Sequence, residues 1–134
     1  MKTFENPGKC FRLTYPPDWN LADDGDHVSL WHSKDGGAVT ISSARHRDPK
    51  YSASAIEHCK GFVSKSGDQR ASVEGNTRIA RGRFTDSKGI RWYVHVLAHG
   101  RYGVLATYNY ARKPNLEEDE QAVKILDSIT IIVS

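Results

Sequence analysis

Cysteine is scarce in this chain. Cys10 and Cys59 are the only two, they form no C-x-x-C pair, and no histidine stands at zinc-ligand spacing from either. A disulfide framework and a cysteine-based zinc site are thereby excluded. One Cys10–Cys59 bridge stays open, although isolated cysteines in a chain without a secretion signal are more often buried thiols. Long apolar runs are missing too. No stretch approaches the roughly 20 residues that span a bilayer, and residues 1–8 (MKTFENPG) lack the apolar segment of a signal peptide. Provided the chain starts at its native methionine, the expectation is a soluble cytoplasmic protein. No Gly-x-Ser-x-Gly elbow, phosphate-binding glycine loop, dinucleotide fingerprint or His-Glu-x-x-His pattern occurs, which lowers the case for an enzyme.

What is present suits one folded domain covering residues 1–134, with an ordered core at about 10–133. The 134 residues are enough for a single core and too few for two, and three Trp, six Tyr and four Phe supply bulky side chains to fill it. Charge is unevenly placed. Residues 1–69 carry nine Lys/Arg and nine Asp/Glu, residues 70–113 carry nine against two, and residues 114–134 carry one against five. The basic character therefore belongs to the middle of the chain.

Residues 10–15 (CFRLTY) alternate like a half-buried strand that Pro16-Pro17 ends, and Trp19 follows as a plug over the core. Residues 27–32 and 38–43 also alternate, and the Lys34-Asp35-Gly36-Gly37 linker makes them a hairpin. From residue 52 to about 65 the period becomes helical, with Ile56, Cys59, Phe62 and Val63 on one face and Ser54 or Ser52 as the cap. Three β-like runs follow at 78–85, 90–98 and 104–110, read as a meander. Asn115 then caps a helix whose expected buried stripe is Leu116, Val123, Leu126 and Ile129, and a short strand at 130–133 closes the chain.

Loop length decides which side chains of a hairpin share a face. With Ser87-Lys88-Gly89 as a three-residue loop, Ala80, Gly82, Phe84, Ile90, Trp92, Val94, Val96 and Ala98 collect on one core face. A loop of two or four residues would instead strand Arg81 and Arg83 among apolar side chains. Reading Arg101-Tyr102-Gly103 as a similar turn adds Val104, Ala106, Tyr108 and Tyr110 to the core face. The opposite face then gathers Arg81, Arg83, Thr85, Arg91, Tyr93, His95, Thr107 and Asn109, with Ile79, Leu97 and Leu105 toward one end. Of these, Arg81, Arg83, Arg91, Tyr93, His95, Thr107 and Asn109 are the candidate binding residues. Two plainer accounts compete: a helix covers this face, or its arginines pair with the acidic residues 117–120. No metal ligand set is expected, because His95 and His99 on a strand stand roughly 13 Å apart. No cofactor and no catalytic residue is expected either.

The order of elements resembles the PsbP-like fold group, which includes the photosystem extrinsic subunit, a Ran-binding nuclear transport factor, bacterial lipoproteins and secretion-effector chaperones. The likeness rests on the strand running into Pro-x-x-Trp (residues 11–19, FRLTYPPDW), the hairpin before the first long helix, the antiparallel ribbons after it, and the closing helix ending in residues 125–129 (ILDSI). It implies an α+β fold, an αβα sandwich around an antiparallel sheet with two main helices, and a non-enzymatic role in binding or assembly. Cys10 follows polar residues and does not match a lipid-attachment cysteine. The resulting expectation is a module that engages a protein partner, acidic ones among the candidates, through the cationic sheet face. A nucleic-acid-binding domain using the same face, or a small enzyme without a recognisable motif, is the alternative.

Overall fold

The computed structural model describes residues 1–6, 10–33, 36–111 and 116–132. Ten strands and two helices follow one another as β1 (Lys2–Glu5), β2 (Phe11–Tyr15), β3 (Asn20–Asp23), β4 (Val28–Trp31), β5 (Ala38–Arg45), α1 (Ala55–Ser64), β6 (Ser72–Gly75), β7 (Ile79–Thr85), β8 (Arg91–His99), β9 (Tyr102–Tyr110), α2 (Leu116–Ser128) and β10 (Thr130–Ile131) among the described residues. Seven strands form one antiparallel sheet in the order β3-β4-β5-β9-β8-β7-β6, and β1-β2-β10 form a second. This is the expected α+β architecture. Strands β1, β3 and β6 are additions to it, and β1 lies outside the expected core of 10–133. All three are four-residue strands, too short for alternation to rise above the background of loop sequence.

The core divides in two because the helices pack on opposite faces of the large sheet. On one face α1 lies over β6, β7 and β8, where Ala55, Cys59 and Val63 bury against Ala80, Phe84, Val94 and Val96. Ser54 caps this helix by accepting the Glu57 N–H, and the carbonyls of Asn76 and Thr77 take up the N–H groups of Ile56 and Ala55. Gly82 lets α1 approach closely: a Cβ there would stand 2.7 Å from Val63 Cγ2. On the other face α2 and the small sheet cover β4, β5 and β9, and Phe11, Leu13 and Ile125 pack on Leu30, Val39, Ile41, Ala106 and Tyr108. Trp19 seals this second core as expected, 3% exposed, with its indole N–H donating to Gln121 Oε1 at 2.8 Å. Both thiols are unbridged.

Of the expected stripe of α2, Leu126 and Ile129 are buried and the other two positions are corrected. Leu116 is 73% exposed and Val123 is half-buried, while Glu118, Ala122, Ile125 and Leu126 face inward. The helix is rotated so that Glu118 reaches the Tyr108 hydroxyl, which donates to Glu118 Oε2 at 3.4 Å inside the core. Asn115, Lys34, Asp35 and residue 133 lie outside the described residues.

The two turns of the meander had opposite fates. The β7–β8 loop is the expected Ser87-Lys88-Gly89, with Gly89 at φ +81 and the Asp86 N–H donating to the Ile90 carbonyl at 2.9 Å. Asp86 clasps the turn by accepting from the Trp92 indole and from the Lys88 and Ile90 amides, and these bonds hold its carboxyl below the usual range, Trp92 contributing most. The β8–β9 connection is not the expected Arg101-Tyr102-Gly103. His99 pairs with Tyr102, so the loop is the two residues Gly100-Arg101, with Gly100 at φ +56. A loop one residue shorter exchanges the faces of everything that follows. Val104, Ala106, Tyr108 and Tyr110 therefore join the odd-numbered side of β8, toward α2, and Thr107 and Asn109 turn to the α1 side.

Candidate binding cleft

Helix α2 covers β5 and β9 but stops short of the outer strands, leaving a cleft of about 460 Å³ against β6, β7 and β8. Pairing register builds its floor in two rows. Glu74, Arg81 and His95 stand side by side in one, and Ser72, Arg83 and Tyr93 in the other. Val123, Leu126 and Asp127 of α2 form the wall. Four of the expected residues, Arg81, Arg83, Tyr93 and His95, are thus brought together. Arg91 projects from the same side of β8 but sits at the strand end, outside the cleft lining. Thr107 and Asn109 do not belong here at all, because the short Gly100-Arg101 turn places them on the other side of the sheet.

The floor is less uniformly cationic than its sequence suggests. Arg81 Nη2 donates to Asp127 Oδ1 at 2.8 Å, with both side chains about half exposed. Solvent screening limits such a pair to about 0.2–1 kcal/mol. The acidic partner comes from the last turn of α2 and not from residues 117–120. Glu74 adds a second carboxylate across the strand pair. Arg83 differs: it is exposed, no carboxylate pairs with it among the described residues, and its guanidinium carbon lies 4.9 Å from the centroid of the Tyr93 ring. Tyr93 in turn stacks on Tyr108 at 5.9 Å, so the second core fixes the ring that supports the cation.

His95 closes the inner end of the cleft and is 6% exposed. Burial is the main reason its pKa falls to about 4; the neighbouring Arg81 cation pushes the same way, and Asp127 and the Leu126 carbonyl oppose them. The ring is therefore neutral at physiological pH. Its Nε2 lies 3.8 Å from Asp127 Oδ1, too far for a hydrogen bond, and its Nδ1 is buried with no hydrogen-bond partner among the described residues. Ser72 stands in the row of Arg83 and Tyr93, not in that of His95. Among the described residues no group of three or more His, Cys, Asp or Glu is placed to hold a metal ion.

Sequence reasoning missed Glu74, Ser72, Val123 and Asp127. Glu74 and Ser72 depended on recognising β6. Asp127 carries no sequence signal, because only the docking angle of α2 brings it to Arg81.

With two helices on opposite faces of a long antiparallel sheet, the chain has the PsbP-like fold. A solved structure of that class, the cyanobacterial PsbP (CyanoP) of Synechocystis sp. PCC 6803, is similar with a TM-score of 0.62 and 12% identity over 97% of this chain and 91% of CyanoP. A crystal structure from Bacteroides thetaiotaomicron VPI-5482 matches equally well, with a TM-score of 0.62 and 16% identity over 99% of this chain, which spans about half (49%) of that longer protein. No protein-family model and no curated protein matches the sequence. Among the described residues no helix is long and apolar enough to cross a membrane.

Proposed function

We propose that the protein is a non-enzymatic binding module that receives an acidic segment of a protein partner in the cleft between α2 and β6–β8. The observation that carries this reading is Arg83: a solvent-facing guanidinium without a carboxylate partner among the described residues, held over Tyr93 on the floor of a concave site. Arginine stacked on an aromatic ring keeps its edge free for bidentate bonds to a carboxylate. Arg91 extends the same side of β8 as a second positive group at the mouth, and Arg81 can divide its N–H donors between Asp127 and an incoming acid. The cytoplasm is the proposed location.

The test is fluorescence anisotropy with a labelled Asp/Glu-rich peptide and with a single-stranded oligonucleotide, at low and physiological salt, on the wild type and Arg83→Glu. The peptide should bind the wild type and lose at least tenfold affinity in the variant, whose melting temperature stays within about a degree. Tighter oligonucleotide binding with a steep salt slope would replace this reading with nucleic-acid recognition. Failure of the peptide to bind, or equal binding by Arg83→Glu, removes it.

A further inference from the structure

Helix α1 covers only β6, β7 and β8, so on its side of the large sheet the faces of β3, β4, β5 and β9 have no helix over them. Their register places Trp31, Ala38, Asn109 and Trp92 in one row, with Ser29, Thr40 and Thr107 in the next. No Lys, Arg, Asp or Glu occupies any strand position on this side of β3, β4, β5 or β9. In a chain with 26% charged residues this is an unusual open surface, since bare sheet faces are ordinarily dressed with charge. The charges of these strands, Asp23 and Arg45, point the other way. A groove of about 220 Å³ runs along the patch, with Thr40, Ser42, Leu105, Thr107 and Asn109 in its floor and His27, Phe62 of α1 and Trp92 at its sides.

We propose that this face binds a neutral oligosaccharide. The surface offers hydroxyl and amide groups that donate and accept hydrogen bonds without net charge, flanked by indole rings, which is the chemistry that pairs with sugar hydroxyls and with the apolar faces of sugar rings. Trp31 and Trp92 are three strand spacings apart, roughly 14 Å, a span that a short oligosaccharide bridges while its hydroxyls reach Thr40 and Asn109. Among the described residues the strand positions of this face hold no Lys or Arg for an anionic polymer to pair with. Trp92 is prearranged for the role: it stacks on Phe84 at 5.7 Å and its indole N–H is held by Asp86 at 3.1 Å, so the ring loses little freedom on binding. The site is separate from the cleft beside α2, and neither proposal depends on the other.

The test titrates cellohexaose, chitohexaose, maltohexaose and laminarihexaose into the intact protein, read by tryptophan fluorescence and by amide chemical shifts. At least one hexaose should move the amide peaks of β4, β5 and β9, bind more tightly than its own disaccharide, and lose at least tenfold affinity in both Trp31→Ala and Thr40→Lys. Both variants should keep the wild-type melting temperature within a few degrees, because both positions lie on the open face. The proposal is overturned if none of the four shifts those peaks, or if the variants bind as the wild type does. It is also overturned if light scattering shows that the wild type self-associates and Thr40→Lys makes it monomeric, which would assign the face to a second copy of the chain.

Discussion

The two helices are offset across the large sheet, so each face has one covered half and one bare half, and the bare halves differ in chemistry. Beside α2 the bare strands β6–β8 carry Arg81, Arg83, Glu74, Tyr93 and His95. Beside α1 the bare strands β3–β5 and β9 carry Ser, Thr, Asn and Trp without one charged side chain. The difference shows that exposure alone does not set surface composition in this fold. It also shows where the charge imbalance of the sequence goes: the cations of residues 78–91 concentrate at one end of the sheet, and α2 supplies Asp127 to temper them.

The contrast depends first on α2 holding its place. Ile125→Ala removes a fully buried side chain from the packing of α2 on the small sheet and β9, and should cost about 2–5 kcal/mol in denaturant unfolding. Backbone amide shifts should then change along β7 and β8 on the cleft side, while the groove beside α1 stays as it is. Equal disturbance of both sites would mean that the two halves are mechanically one.

A second test separates the halves by pH. The folded His95 titrates near 4, below the ordinary histidine value of 6.5. The unfolded chain therefore takes up a proton at this residue before the folded one does. Its contribution to stability is complete above about pH 6.5 and is lost as pH falls toward 4, a decline of about 3 kcal/mol. Asp24, Asp68 and Asp86 have carboxyls held low by backbone and indole hydrogen bonds, so their contributions disappear only at lower pH. Urea titrations of His95→Gln should be nearly flat between pH 6.5 and 4 where the wild type weakens. A wild-type slope in the variant would place the acid sensitivity elsewhere.

The smallest effect is expected at the Arg81–Asp127 pair. A double-mutant cycle with Arg81→Ala and Asp127→Ala should give a coupling of about 0.2–1 kcal/mol, shrinking with salt. A coupling well above that would show that the pair anchors α2 instead of bordering a cleft.

Much of the fold was legible because its signals are local. Ser54 and Glu57 mark the start of α1, Gly89 ends the β7–β8 loop, and Pro16-Pro17 stops β2. The cleft was half legible: the three-residue turn put Arg81, Arg83, Tyr93 and His95 on one side, as the sequence implies. Thr107 and Asn109 were misplaced for a physical reason. Strand β8 is buried on both faces at Val94, His95 and Val96, so alternation there does not reveal which side faces which core, and a single glycine of uncertain turn length decides the parity of β9. The rotation of α2 was hidden in the same way, since a carboxylate at Glu118 is not an expected core residue until the Tyr108 hydroxyl is seen to reach it.

Strand β2 is the middle of the small sheet, bracketed by β1 and β10. The Ser128 hydroxyl accepts the Thr14 amide across a separation of 114 residues, and the Cys10 carbonyl accepts the Ile132 N–H. During folding such a strand has half its neighbours missing until nearly the whole polypeptide has been threaded into place, whereas the β7–β8 hairpin needs only its own turn. The order of assembly therefore runs from the middle of the chain outward. Sealing of the second core is the late event, the one that waits for the opposite ends to meet.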